Sequence, residues 1–419
     1  MDRIVINGGK PLQGEVAISG MKNAALPIVF ACILTKSKCV LENIPIISDV
    51  ALAIEIIEAM GGIINRIDES TVEIDTTNLR GGVAPDELVG KMRASTYLIG
   101  AELGRFGFSK IGLPGGCNFG NRPIDQHIKG FGALGADVIM LDNKIVASTA
   151  NGVHSGSVYF DITSVGATIN VMMAAVLAPG LTVIENAACE PHIVDLANFF
   201  NTCGAKITGA GTNVIKIRGV EELHGCTYEI IPDMIEAGTF MTAVSAASGS
   251  VKILNIIPKH LESITAKLRD MGVVVNEFDD YLEVTSGGYL KPTHVQTKPY
   301  PGFPTDMHPQ FTALLCLANG ESTMTENVFE NRFKYVDELR KMGADIDTDG
   351  RIAKIHGIEG YTGAEVVSCD LRAGAALIVA GLAAKGETTV TNIELIRRGY
   401  QDIVEKFRAL GADITEIDD

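Results

Sequence analysis

Hydrophobic positions along this chain follow one order six times: a run apolar on nearly every face, a short alternating segment, a run with one polar face, and a glycine. The all-apolar runs cover 24–33, 94–104, 167–177, 237–247, 307–317 and 373–384, and apolarity all round predicts buried helices. The second runs, such as 335–342 and 403–410, keep a polar side and predict half-exposed helices. Each ends at a glycine, Gly61, Gly135, Gly204, Gly272, Gly343 or Gly411, the residue expected just past a helix C-terminus. The intervals between these glycines are 74, 69, 68, 71 and 68 residues. Short strand patterns such as 214–217 and 352–355 follow, across turns like Asp349-Gly350. The sixth unit stops after one of its two closing strands, and Arg3 to Ile6 is expected to supply the other. That closure predicts two domains of three units each, one of residues 1–20 with 231–419 and one inserted as 21–230.

The exception within the repeat is informative. Counting back from each glycine to the end of the preceding strand gives 18 (Asn43), 18 (Asn186), 17 (Asn255), 16 (Asn327) and 19 (Asn392). In the second unit the count is 21, from Pro114, and the insertion holds Gly115-Gly116-Cys117-Asn118-Phe119-Gly120-Asn121-Arg122. A repeat records what its framework needs, so the residues that break it are where function is sought. Here they include a thiol and a cation.

Composition narrows the function class. Of 419 residues, 46% are hydrophobic and 21% charged, which predicts a folded chain, and its length predicts two domains. A net charge of -16 argues against nucleic acid or acidic lipid as partners, so any anionic ligand must meet cations gathered locally. The longest apolar helical runs, 24–34 and 375–384, fall short of the roughly 20 residues that span a bilayer, so no membrane insertion is expected. The first residues, Met-Asp-Arg-Ile-Val-Ile-Asn, read as a strand and not as a secretion signal, which points to the cytoplasm. Eight cysteines without a Cys-x-x-Cys pair, and no paired histidines, predict reduced thiols, no zinc site and no protein-held metal. Gly115-Gly116 and Gly209-Ala210-Gly211 match no dinucleotide or P-loop fingerprint, so no cofactor is expected.

Equivalent positions carry the candidate chemistry. Lys22, Arg93, Ser164, Glu236, Asp306 and Arg372 stand at the starts of the buried helices, and Arg122, Arg332 and Arg398 at the entrances to second helices. Helix N-termini present free N–H groups and partial positive charge, so a ring of them with added cations is an anion site. A lone surface arginine is most often a solvated ion pair, but Arg93, Arg122 and Arg372 have small or apolar neighbours, where the planar fork usually meets carboxylate or phosphate. Cys117 reads either as an inert apolar residue or, beside Arg122 in the sole insertion, as a reactive thiol. His127 is an alternative partner for it, as in a cysteine-dependent hydrolase. Asp306 reads either as a helix cap or as a base for a substrate hydroxyl.

Taken with these residues, Gly20-Met21-Lys22-Asn23-Ala24-Ala25, Leu113-Pro114-Gly115-Gly116-Cys117, Arg122-Pro123-Ile124-Asp125, Ser164-Val165-Gly166-Ala167-Thr168, Phe303-Pro304-Thr305-Asp306-Met307 and Phe329-Glu330-Asn331-Arg332-Phe333 resemble the UDP-N-acetylglucosamine enolpyruvyl transferases along essentially the whole chain. The resemblance implies an inside-out α/β barrel of two domains, with buried helices and outer sheets. It implies transfer of the enolpyruvyl group of phosphoenolpyruvate to a hydroxyl of UDP-N-acetylglucosamine, with Asp306 as base and Cys117 as the acid, the adduct-forming thiol and the fosfomycin target. By the same resemblance Lys22, Arg122 and Arg398 hold phosphate and carboxylate, with Arg93, Arg332 and Arg372 nearby. Asn23, Arg93, Arg122, Pro123, Ile124, Asp125, Gln126, Ser164, Val165, Gly166, Asp306 and Val328 meet the nucleotide sugar, and Glu190 and Asp233 line its cleft. The chain departs from the family at Ser48 and Ile162, where some relatives carry Lys, and at Leu395-Ile396-Arg397 before Arg398.

Overall fold

The computed structural model describes residues 2–115 and 124–418. β1 (Arg3–Asn7) and β2 (Leu12–Ala17) open the chain, and the first unit follows with α1 (Lys22–Ala31), β3 (Lys38–Glu42), α2 (Ser48–Ala59), β4 (Ile63–Arg66) and β5 (Val72–Asp75). The second unit contains α3 (Asp86–Val89), α4 (Tyr97–Phe106), β6 (Phe108–Gly112), α5 (Asp125–Ala133), β7 (Asp137–Leu141) and β8 (Lys144–Ser148). The third runs through β9 (Ser157–Tyr159), α6 (Val165–Ala175), β10 (Leu181–Glu185), α7 (Pro191–Thr202), β11 (Lys206–Thr208) and β12 (Val214–Arg218), and β13 (Thr227–Glu229) comes after it. The fourth is α8 (Met234–Ala247), β14 (Gly249–Leu254), α9 (Glu262–Asp270), β15 (Val274–Glu277) and β16 (Tyr281–Ser286). The fifth is β17 (His294–Gln296), α10 (His308–Leu315), β18 (Glu321–Thr325), α11 (Val336–Lys341), β19 (Asp345–Asp349) and β20 (Ile352–His356). The sixth is β21 (Glu365–Val367), α12 (Leu371–Ala383), β22 (Glu387–Thr391), α13 (Glu394–Arg397), α14 (Ile403–Ala409) and β23 (Asp413–Ile417).

The six apolar runs form α1, α4, α6, α8, α10 and α12. Every residue from Leu371 to Leu382 of α12 is buried, because α8, α10, β1 and β22 surround it. Strands alternate buried and exposed positions, so each sheet lays one face on these helices and turns the other outward. The six glycines all have positive φ, between 80° and 99°. The next residue in each case donates its N–H back over the last helical turn, as from Gly62 to Ile57 O (2.9 Å), Ala205 to Phe200 O (2.9 Å) and Ala412 to Phe407 O (3.1 Å). This six-to-one bond is what a left-handed residue at the helix end makes possible.

β1 lies between β22 and β23, antiparallel to both, and fills the place that the short sixth unit leaves open. A strand exchange links the repeats. β2 pairs in parallel with β14 of the fourth unit, while β13 pairs in parallel with β3 of the first. The chain accordingly gathers into two bodies that part between Ser19 and Gly20 and between Ile231 and Pro232.

The recurring asparagines have a physical task. Asn43, Asn186, Asn255 and Asn392 adopt φ of 53° to 59°. Their amides donate to Ile230 O (2.8 Å), Phe160 O (2.9 Å), Ile18 O (2.7 Å) and Ser368 O (2.8 Å), and Asn327 donates to Thr297 O (3.1 Å). Each bond ties a strand's end to the parallel strand that leads into a buried helix, and so fixes where that helix begins. The second unit breaks the rule in both respects: it has Pro114 in place of Asn, and its described sheet, β6-β8-β7, has three strands where the other five have four. α3 lies ahead of its buried helix. Gly115 approaches Gly90 so closely that a Cβ there would sit 1.6 Å from Gly90 O, so the base of the insertion rests on the turn after α3.

Candidate active site

In the body containing residues 232–418, three helix starts converge. Asp233 caps α8, its Oδ1 accepting from the N–H groups of Ile235 (2.7 Å) and Glu236 (3.2 Å). Asp370 caps α12 in the same way, at 2.8 and 3.0 Å from the N–H groups of Arg372 and Ala373. Asp306 does not cap its helix. It lies in the 3-10 turn Thr305–Met307, Met307 holds the cap position of α10, and the carboxylate faces cations. Arg372 Nη2 donates to its Oδ2 at 3.0 Å, and Arg332 Nη2 lies 3.7 Å from its Oδ1. Both guanidiniums are buried, at 4% and 3% exposure, whereas the Asp306 side chain keeps 27% of its surface open.

Burial alone disfavours the Arg372 charge, but Asp306, Tyr400 and Asp233 outweigh it and push its pKa above the ordinary arginine value. The guanidinium also lies over the Tyr400 ring, 5.4 Å from its centroid. Burial raises the Tyr400 phenol above its usual range and Arg372 opposes that rise. Tyr400 Oη shares a hydrogen bond with Thr239 Oγ1 (2.8 Å) and accepts from Gln310 Nε2 (3.1 Å), which also donates to Asp306 O (3.0 Å). Thus α8, α10 and the segment after α13 lock around the Asp306 backbone.

Glu326, one residue beyond β18, positions the same region. Its Oε1 accepts from Thr297 Oγ1 (2.9 Å) and the N–H groups of Val328 (2.7 Å) and Phe329 (3.0 Å), and its Oε2 from Thr305 Oγ1 (2.7 Å). The sequence patterns single out neither Glu326 nor Tyr400 nor Gln310, because a buried carboxylate at a strand end has no periodic signature. Val328 itself is exposed and Arg398, the residue after α13, is half-buried. Arg397 is engaged elsewhere, with Asp2 (2.8 Å), Asp418 (3.0 Å), Glu394 and Glu416. Glu236 is also occupied: buried, it pairs with Lys406 and accepts from Ser19 N (3.1 Å) beside the chain's crossing point.

In the body containing residues 20–231, Lys22 is the first residue of α1 and is held by Asp49 of α2, Nζ to Oδ2 2.8 Å. Asn23 follows it on α1, and Ser164 caps α6 through Ala167 N (3.3 Å), with Val165 the first helical residue. Arg93 opens the 3-10 turn that leads into α4, and burial lowers its pKa. His127 is buried on α5. Burial, then the nearby Arg93 charge, bring its pKa down to about 4, so the ring is neutral near pH 7 and a weak base for a thiol. It lies against Gly166, where an added Cβ would come within 2.9 Å of Nε2. Asp125 is exposed and Ile124 half-buried at the start of α5. Gln126 is buried: its amide donates to Asp125 Oδ2 (2.9 Å) and its carbonyl accepts from Asp161 N (3.0 Å), so it fastens α5 to the approach to α6. Glu190 precedes α7, whose first residue is Pro191. Ser48 is the first residue of α2, and Ile162 is exposed. Cys117, Arg122 and Pro123 lie outside the described residues.

The arrangement offers a carboxylate bracketed by two buried guanidiniums in one body, and Lys22 and Arg93 at helix starts in the other. Such groups suit anionic substrates and proton transfer from a hydroxyl. No helix of the described residues is long and apolar enough to cross a membrane.

Comparison with known proteins agrees with this chemistry. Residues 6–407 match the family described as EPSP synthase (3-phosphoshikimate 1-carboxyvinyltransferase). UDP-N-acetylglucosamine 1-carboxyvinyltransferase 3 of Caldanaerobacter subterraneus subsp. tengcongensis is 52% identical over 417 residues, covering 100% of both chains. UDP-N-acetylglucosamine 1-carboxyvinyltransferase 2 of Clostridium acetobutylicum is 53% identical over 415 residues, covering 99% of each. The crystal structure of the enolpyruvyl transferase NikO from Streptomyces tendae superposes with a TM-score of 0.89 at 25% identity, covering 99% of each chain. EPSP synthase from Acinetobacter baumannii shares the fold, with a TM-score of 0.78 at 17% identity over 100% of both chains. The chain belongs to the EPSP synthase family and, within it, to the UDP-N-acetylglucosamine 1-carboxyvinyltransferases.

Proposed function

We propose that this protein transfers the enolpyruvyl group of phosphoenolpyruvate to a sugar hydroxyl of UDP-N-acetylglucosamine and releases phosphate, the first committed step of peptidoglycan synthesis. The observation that carries this reading is Asp306, partly open to solvent and bracketed by Arg372 and Arg332 at converging helix starts. A carboxylate so placed is an acceptor for a hydroxyl proton. The sugar oxygen then bonds to C2 of phosphoenolpyruvate while Cys117 gives a proton to C3, forming a tetrahedral ketal. Loss of a C3 proton and of the phosphate group regenerates the double bond in the product. The same thiol is the site of a phosphoenolpyruvate adduct and the target of fosfomycin.

Lys22, Arg122 and Arg398 are assigned to the phosphate and carboxylate of phosphoenolpyruvate, with Arg93, Arg332 and Arg372 adding positive charge. Asn23, Arg93, Arg122, Pro123, Ile124, Asp125, Ser164, Val165, Gly166, Asp306 and Val328 are assigned to the nucleotide sugar, with Glu190 lining the site. Gln126 is likewise assigned to the nucleotide sugar and Asp233 to the lining of its cleft, while Gln126 also fastens α5 and Asp233 also caps α8. These substrates place the enzyme in the cytoplasm. No cofactor is required, because the chemistry is proton transfer and addition-elimination.

The test is phosphate release with each substrate alone and with both. Release that needs both supports the reading, and release from phosphoenolpyruvate alone at the same rate overturns it. Intact mass after incubation with phosphoenolpyruvate should show an adduct that Cys117→Ser loses. A hydrolase using His127 would show no adduct.

A further inference from the structure

Three cysteines of the body of residues 20–231, Cys39, Cys203 and Cys226, meet. The Sγ atoms of Cys39, Cys203 and Cys226 all lie within 4.8 Å of one another, and Cys203 Sγ is 3.3 Å from Cys226 Sγ. Three separate elements deliver them. Cys39 is the second residue of β3, Cys203 follows the last residue of α7, and Cys226 precedes β13. Backbone pairing fixes the first and last: Val40 N donates to Cys226 O at 2.8 Å, at the head of the parallel β3 and β13 pair. Cys39 and Cys203 are fully buried and Cys226 is half-buried, so the cluster has one approach.

Thr35 Oγ1 lies 3.5 Å from Cys39 Sγ. A Zn–S bond of about 2.3 Å in tetrahedral geometry separates sulfurs by roughly 3.8 Å, so side-chain shifts of under ~1 Å bring these three around one ion. Soft thiolate sets select d10 cations over hard ones. We propose that Cys39, Cys203 and Cys226 form a site for one thiophilic d10 cation, Zn2+ or Cu+, bound through three thiolate sulfurs. Binding displaces the thiol protons to solvent. The fourth position of a zinc ion takes a water that enters past Cys226; Cu+ is content with three.

Cys39, Cys203 and Cys226 sit at the ends of their elements opposite Asn43, Glu190 and Ile230, hence away from the helix starts assigned to substrate. The expectation of no metal rested on spacing, and spacing conceals this cluster because its members are 164 and 23 residues apart.

The experiment uses the reduced, metal-free full chain, dialysed against Zn2+ or Cu+ in separate arms and assayed for bound metal by mass spectrometry. One ion per chain in either arm is expected, identifying which cation the site prefers. Alkylation mapping should show Cys226 at least about tenfold slower with metal, while exposed Cys369 is unchanged. Cys226→Ser should weaken uptake at least about tenfold, leave phosphate release intact, and Cys117→Ser should bind metal normally. Uptake below about one-tenth of an ion in both arms, unaltered alkylation of Cys226, or metal retained in Cys226→Ser at full affinity overturns the proposal. So does a reduced chain that takes up no metal but forms a Cys203–Cys226 disulfide in air. The alkylation readout needs no variant, so a Cys226→Ser chain that failed to fold would not shield the idea.

Discussion

Replacing Glu326 by alanine tests how the Asp306 segment is held. The carboxylate accepts four hydrogen bonds, from Thr297 Oγ1, Thr305 Oγ1 and the N–H groups of Val328 and Phe329. Bonds to a charged acceptor each contribute about 1.5–3 kcal/mol, so a simple sum runs to roughly 6–12 kcal/mol. Val328 is 40% exposed, however, and water can replace the carboxylate at its N–H. Removing the side chain should therefore cost about 4 kcal/mol. For a body of this size that lowers the midpoint of thermal unfolding by roughly 8–16 °C. Glu326→Gln keeps the Oε1 acceptor for three of the donors and lets the Thr305 hydroxyl turn to accept, so it should cost only about 1–2 kcal/mol. Calorimetry on wild type and both variants reads the difference, and phosphate release below the new midpoint should fall in Glu326→Ala because Thr305 no longer fixes the turn carrying Asp306. A midpoint shift under about 2 °C for Glu326→Ala, or equal shifts for the two variants, would refute the reasoning.

Asp306→Asn keeps an acceptor for Arg372 but removes the base, so kcat should fall roughly 10²–10⁴-fold with a folded protein; steady-state phosphate release checks it, and a kcat within twofold of wild type contradicts it. Asn392→Ala loses the bond to Ser368 O and places alanine at φ 59°, which together cost about 2 kcal/mol, whereas Asn392→Gly should cost about half that; urea unfolding orders the two. Two buried groups in the 20–231 body oppose each other in pH dependence. His127, depressed from 6.5 to about 4, stabilises above pH 6.5 and loses that contribution as pH falls through 4. Asp195, raised by burial from 3.8 to about 6, stabilises below pH 3.8 and loses its contribution as pH rises through 6. Each spans about 3 kcal/mol. Between pH 6 and 4, Asp195→Asn should lose stability more steeply than wild type on acidification, and His127→Gln less steeply; parallel profiles by denaturant unfolding would contradict both shifts.

Much of the fold is legible in the chain because its signals are long or repeated. All-apolar runs of ten or more residues give the buried helices, and six glycines mark helix ends that the structure closes with the same backbone bond. The leading strands are not legible: β9, β13, β17 and β21 have three residues each, too few for an alternation to register. Their presence was encoded one step removed, in the asparagines that reach across to them. The second unit shows the same logic in reverse, since Pro114 replaces the asparagine where the described sheet lacks its fourth strand.

At the site, the sequence places Lys22, Arg93, Ser164, Asp306 and Arg372 at helix starts because position in a repeat is a local property. It leaves open whether Asp306 caps a helix or faces a ligand; in the structure the carboxylate pairs with Arg332 and Arg372 and does not cap α10. Lys22 and Gln126 illustrate a further limit: their partners, Asp49 and Asp161, lie 27 and 35 residues away with no motif connecting them.

The most direct measurement is the initial rate of phosphate release from phosphoenolpyruvate as UDP-N-acetylglucosamine is varied from zero. The account predicts no release without the nucleotide sugar, a saturable rise with it, and near abolition in Asp306→Asn. Release independent of the nucleotide sugar, or none with both substrates present, would contradict it.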